Sequence, residues 1–138
     1  MTALNAELGL DQEKWNRRLM PLKAGAKAYK GGTACIDTVS QTVVPGKAST
    51  TLLFLGVFAE TIDNSTGATT TPVNVDFLKE KTILWRANDG SISATALGIA
   101  AYALDDQTLT ATSSGNSKMG TVLAVDSVLG VAIEVEGV

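Results

Sequence analysis

From Gly31 onward, short runs of Val, Leu, Ile, Thr and Ala are broken every few residues by Gly, Asn, Asp, Ser or Pro. That alternation constrains the fold more than any other feature. Runs of such length and spacing read as β-strands joined by polar turns, the pattern of an all-β sandwich, jelly roll or small barrel. The strands are expected at Thr33–Val39, at Val43-Val44 before the Pro45-Gly46 turn, and at Thr50–Ile62. They continue at Val73–Phe77, Thr82–Arg86, Ile99–Leu104, Thr108–Thr112, Thr121–Val125 and Val131–Val135. In the Thr50–Ile62 run both alternating sets are apolar, which predicts a central strand covered on both faces. Ala94–Ala103 is rich enough in Ala for a helix, but Gly98 and the alternation around Tyr102 favour a strand. Asp63–Thr71 reads as a polar loop, Asn88-Asp89-Gly90 as a tight turn, and Ser113–Lys118 as a hairpin loop.

The first thirty residues differ. Leu8, Trp15, Leu19 and Leu22 fall on one stripe at helical spacing, Asp11 is a suitable N-cap, and Pro21 pushes Met20 out of helical geometry. A short helix ending near Leu19 is therefore expected inside an N-terminal arm (residues 1–30), followed by a β-body (31–138). So short a helix is ordered only where it docks, either on its own body or on a neighbour. The arm holds six bases against three acids, whereas residues 31–138 hold five bases against eleven acids.

A chain of 138 residues fits one domain and can bury a core without metals or disulfides. Aromatic content is only 5%, so Val, Leu, Ile and Ala must fill that core, and assembly would add burial. The acidic body argues against nucleic acid as a partner. No signal peptide is evident at Met1-Thr2-Ala3-Leu4, and runs such as Leu52–Phe58 are too short to span a bilayer, so no membrane partner is expected. Cys35 is the single cysteine, which excludes an internal disulfide and fits a cytosolic origin.

No catalytic constellation is legible, so an enzyme is not expected. The chain has no His, which removes the usual base for Ser113, Ser114 or Ser117 and the usual zinc sites. No metal and no cofactor is expected. Asp105-Asp106 is the one adjacent acid pair and reads as a turn. Asp63-Asn64-Ser65-Thr66-Gly67 resembles the start of a calcium loop, but its glycine is at the fifth position and Asn74 stands where a bidentate Glu is needed. Asn64-Ser65-Thr66 fits the glycosylation acceptor pattern, which matters only in a secretory pathway. Cys35 reads as an inert core thiol and Trp85 as a core residue. The exposed-looking anchor set is Trp15 with Lys14, Arg17, Arg18, Leu19 and Lys23, combining residue types favoured at binding hot spots with apolar and cationic neighbours.

Three segments carry a resemblance: Tyr29-Lys30-Gly31-Gly32-Thr33-Ala34, Leu55-Gly56-Val57-Phe58-Ala59-Glu60, and Ala101-Tyr102-Ala103-Leu104-Asp105-Asp106-Gln107-Thr108. With the closing pattern Gly120-Thr121-Val122, Val125-Asp126 and Gly130-Val131, they resemble the tailed-phage capsid cement (head decoration) proteins. The resemblance spans residues 28–135. It implies an all-β body and a homo-oligomer, dimer or trimer. It also implies attachment to the major capsid protein on the virion exterior after synthesis in the host cytoplasm. The family brings no catalytic residues. Two other readings of the residues stay open: a carbohydrate- or host-surface-binding β-sandwich, for which Tyr29, Tyr102 and Trp85 are the candidate aromatics, and a tail or baseplate component.

Overall fold

A computed structural model describes residues 16–79 and 81–136. Among them are twelve strands: β1 (Arg17–Leu22), β2 (Lys27–Ala28), β3 (Thr33–Asp37), β4 (Thr42–Pro45), β5 (Leu52–Phe58), β6 (Ile62–Asp63), β7 (Thr71–Phe77), β8 (Ile83–Asn88), β9 (Ala100–Ala103), β10 (Thr108–Thr110), β11 (Lys118–Asp126) and β12 (Gly130–Val135). They form two small closed barrels in sequence. The first has the order β1-β4-β3-β5-β7 and the second β10-β8-β12-β11-β9, while β2 and β6 make a separate two-stranded ribbon. Each barrel is closed by a parallel contact, Leu22 with Val43 in the first, and Thr108 and Leu109 with Ala87 and Asn88 in the second. Within each barrel, closure pairs every strand on both edges.

Two cores support the fold, and one of them joins the barrels. Leu22, Ala34, Val43, Leu55, Phe58, Val73 and Val75 fill the first barrel. The second core mixes residues of both: Cys35, Val44, Leu52 and Phe54 of the first barrel pack with Met119, Val122, Val131 and Ile133 of the second. The wall β3-β4-β5 therefore has two apolar faces, one lining its own interior and one pressed on the neighbour. This accounts for the apolar run at Leu52–Phe58, which lies between β3 and β7. The shared core also buries Cys35 completely, and that burial pushes its thiol up to about 12, consistent with an inert role.

Several expectations change. The helix expected to end near Leu19 is not there over residues 17–19, because β1 pairs with all of Arg17↔Asp76 to Leu22↔Thr71. Antiparallel pairing satisfies the backbone of a segment too short to hold a helix alone. Pro21 fits because Pro72 faces it, so two residues without a backbone N–H share one rung. Residues 11–15 of that expected helix lie outside the described residues. β1, which falls within residues 1–30, is thus a strand of the first barrel. The Thr50–Ile62 run shortens to Leu52–Phe58, with Ile62 and Asp63 turning away to pair with Lys27 and Ala28. Ser113–Lys118 is not a hairpin loop: β10 pairs with β8 and β9, and β11 with β9 and β12, so the segment crosses the end of β9. Ala100–Ala103 is a strand, as its alternation indicated.

Candidate interaction surface

On β8 the side chains alternate, with Ile83, Trp85 and Ala87 outward and Leu84, Arg86 and Asn88 partly covered. Trp85 is 40% exposed, which corrects its reading as a core residue. Among the described residues, the outer face of β8 at Ile83, Trp85 and Ala87 stays exposed, with β10 and β12 bonded to its two edges.

The turn after β11 places apolar groups beside Trp85. The Asp126 Oδ1 accepts from the Val128 N–H at 2.7 Å and the Leu129 N–H at 2.8 Å, and these bonds hold its carboxyl below the usual range. A turn fixed in this way presents Val128, 89% exposed, and Leu129, 61% exposed, to solvent. Gly130 ends it at φ +94°, so close to β8 that an added Cβ would meet the Arg86 carbonyl oxygen. The result is a groove of about 470 Å³ between Trp85 and the Ser127–Gly130 turn, floored by Arg86, Asn88 and Gln107.

Arg86 and Gln107 also line a second hollow of about 460 Å³, with Tyr29, Lys30 and Asp106. The two hollows thus form one continuous surface across the joint between barrels. Arg86 is its pivot. Its Nη2 donates to the Gly31 carbonyl at 2.7 Å and its Nε to the Thr33 hydroxyl at 3.0 Å. Burial lowers the Arg86 pKa, partly opposed by the Asp106 charge, yet among the described residues no carboxylate is within ion-pair distance of it. The Thr33 N–H donates to the Asp106 carbonyl at 2.9 Å, tying the Tyr29–Ala34 segment to the Asp105-Asp106 turn. Asp105 behaves as the turn residue it was read to be, its Oδ1 accepting from the Gln107 N–H at 2.9 Å.

The described members of the sequence-predicted contact set, Arg17, Arg18, Leu19 and Lys23, sit elsewhere. Arg17 forks onto Asp76, Nε to Oδ1 at 2.6 Å and Nη2 to Oδ2 at 3.1 Å, on the outside of the first barrel. Leu19, 58% exposed, shares that outer row. Arg18 is exposed on the row that continues into Met20 and Leu22, and Lys23 is half-buried beyond the strand, its N–H donating to the Val43 carbonyl. Lys14 and Trp15 lie outside the described residues. The structure brings Arg17 and Leu19 together but does not gather the whole set. Sequence reading missed the groove, although one signal was available: Val128-Leu129 is an apolar pair within a turn, where nothing in the chain's own core calls for it.

The remaining polar clusters are structural. Asn64 is buried, its Nδ2 donating to the carbonyls of Leu22, Lys23 and Thr69 and its Oδ1 accepting from the Thr71 hydroxyl. That amide cannot accept a glycan without unpacking the loop. Among the described residues no group of three His, Cys, Asp or Glu side chains is placed to hold a metal ion. No protein-family model, curated protein or solved structure matches the chain.

Proposed function

We propose that this chain is a capsid decoration, or cement, protein that binds the outer surface of an assembled major capsid shell, stabilises it and catalyses no reaction. The observation that carries this reading is the continuous surface at the barrel joint, where Trp85, Val128, Leu129 and Tyr29 stand exposed around a partly buried Arg86. Aromatic and Arg side chains at a preformed groove are the anchors of protein–protein adhesion. Two of the three segments that carry the family resemblance, Tyr29–Ala34 and Ala101–Thr108, meet at this joint. Arg17 and Leu19 on the outer row of β1 supply a second contact region in this reading, and Lys14, Trp15, Arg18 and Lys23 are taken as further contacts from the sequence alone.

The physical role is linkage. A protein that binds only the assembled shell stabilises it by about 2.7 kcal/mol per site at a hundredfold excess over Kd. Self-association into a dimer or trimer multiplies modest contacts into durable attachment. The test is co-sedimentation with expanded, empty shells. A Trp85→Ala/Leu129→Ser variant is expected to fold and to pellet poorly, as is Trp15→Ala/Arg17→Ala. Undiminished pelleting of both variants, or a wild-type monomer with no affinity for shells, would refute the proposal.

A second reading is favoured by one observation. Trp85 and Tyr29 are exposed aromatics flanking polar groups of Arg86, Asp106 and Gln107, an arrangement that also suits a sugar ring. A glycan array separates the two, since cement activity requires no glycan hit.

A further inference from the structure

Arg86 brings a charge into the joint with no carboxylate set against it. A guanidinium has five N–H donors. Nε and Nη2 bond to the Thr33 hydroxyl and the Gly31 carbonyl, and Nη1 makes no bond among the described residues. Lys30 lines the same hollow and is exposed. Among the described residues Arg17, Lys27 and Lys118 each stand in an ion pair, whereas Lys30 and Arg86 do not. An incoming carboxylate would give both cations charge-assisted bonds and offset the desolvation of the half-buried one.

The acids nearby do not fill that role. Asp106 is the one carboxylate lining the two hollows among the described residues, and its Oδ2 lies against Gly32, 3.1 Å from where a Cβ would be. Asp105 and Asp126 flank the surface, but each Oδ1 accepts backbone N–H groups of its own turn. Two open cations against one acid suit a few carboxylates. They do not suit a phosphate backbone, which needs a run of bases.

Two further features fit a peptide. Gln107 lines both hollows, and its side-chain amide makes no hydrogen bond among the described residues. A carboxamide offers one donor group and one acceptor, the pair that an extended backbone presents in return. Trp85, Val128 and Leu129 wall one hollow, while Lys30 lines the other and Arg86 lines both. An extended chain with an apolar side chain next to an acidic one matches that order.

We propose that the joint captures an extended acidic segment of a partner protein, an apolar side chain against Trp85 and Leu129 and a neighbouring carboxylate on Arg86 and Lys30, with its backbone on Gln107. The proposal rests on the joint being a docking surface and names the chemistry of what docks there.

The test exposes the full-length protein to an array of capped octapeptides of randomised sequence. Bound peptides are expected to be enriched about threefold or more in Asp and Glu beside Leu, Ile, Phe or Trp. Lys30→Glu should abolish the acidic preference and keep the apolar one, and Trp85→Ala should do the reverse. Absence of acidic enrichment in the wild type overturns the proposal, as does enrichment that survives undiminished in both Lys30→Glu and Gln107→Ala. So does tighter binding of a single-stranded oligodeoxynucleotide than of the selected peptides. Parallel pelleting on shells keeps the two proposals apart. Decoration sensitive to Trp85→Ala/Leu129→Ser without acidic selection refutes the acidic segment alone, and acidic selection without decoration refutes the cement function alone.

Discussion

Arg86 in the second barrel donates from Nη2 to the backbone carbonyl of Gly31 in the first, at 2.7 Å. With the Nε bond to Thr33 Oγ1, this one side chain clamps the joint on which the candidate surface is built. The clamp uses the planar fork of a guanidinium, which addresses two acceptors at once. Arg86→Met is therefore expected to cost about 2–3 kcal/mol in urea denaturation, since it leaves a carbonyl and a hydroxyl at the joint without their charged donor. Arg86→Lys should recover only a small part, because a single ammonium cannot reproduce the fork. Recovery to wild-type stability in the Lys variant would show that charge alone matters there.

Two glycines with the same backbone sign give a controlled contrast. Gly130 and Gly90 both have positive φ, +94° and +100°, but only at Gly130 would a Cβ collide, 2.2 Å from the Arg86 carbonyl oxygen. Gly90→Ala is expected to cost about 1–2 kcal/mol for its conformation alone. Gly130→Ala should cost about 3 kcal/mol or more, adding a clash that forces β8 and β12 apart. The comparison is read from paired urea midpoints, and equal losses would mean the turn moves away from β8 without penalty.

Asn64 ties the loop before β7 to the end of β1 through three donated bonds from one amide. Asn64→Ala removes those donors from buried carbonyls and is expected to cost about 2–3 kcal/mol. Asn64→Asp should be worse at neutral pH, since a carboxylate would face the same oxygens, and better again in acid. Thermal melts at pH 7 and pH 4 check both signs. When expressed through a secretory pathway, the protein should leave Asn64 without a glycan, by intact mass.

Acid sensitivity follows from the turn carboxylates. The Leu129 and Val128 N–H groups hold Asp126 below its ordinary value, and the Val39 N–H does the same for Asp37, against the opposing effect of burial and with help from the Thr51 hydroxyl. A carboxyl depressed in the folded state contributes stability that is present above its unfolded value, about 3.9, and lost as pH falls through the folded value. Stability is thus expected to decline below about pH 4, and Asp126→Asn should make that decline shallower. Urea midpoints between pH 7 and pH 3 measure it. An unchanged acid limb in the variant would remove Asp126 from the account.

The candidate surface was only partly legible. Leu55, Val73 and Val75 announce themselves by alternation, and Asp105 and Asn88 by turn chemistry, because those signals are local. Trp85 gave no local sign of its exposure. An apolar strand residue looks the same whether its face meets a core or solvent, and only closure of the second barrel decides which.

From the order of its residues alone, the chain was committed to β-structure, to most of its strand positions and to a core built mainly of aliphatic side chains, since period-two patterning and turn residues act over a few positions. The conversion of Arg17–Leu19 from expected helix to strand, the partition into two barrels and the shared wall came from tertiary pairing. So did the meeting of Tyr29, Arg86 and Leu129. Those features depend on contacts between residues such as Arg17 and Asp76, or Gly31 and Arg86, which lie 59 and 55 positions apart and leave no periodic trace in the sequence.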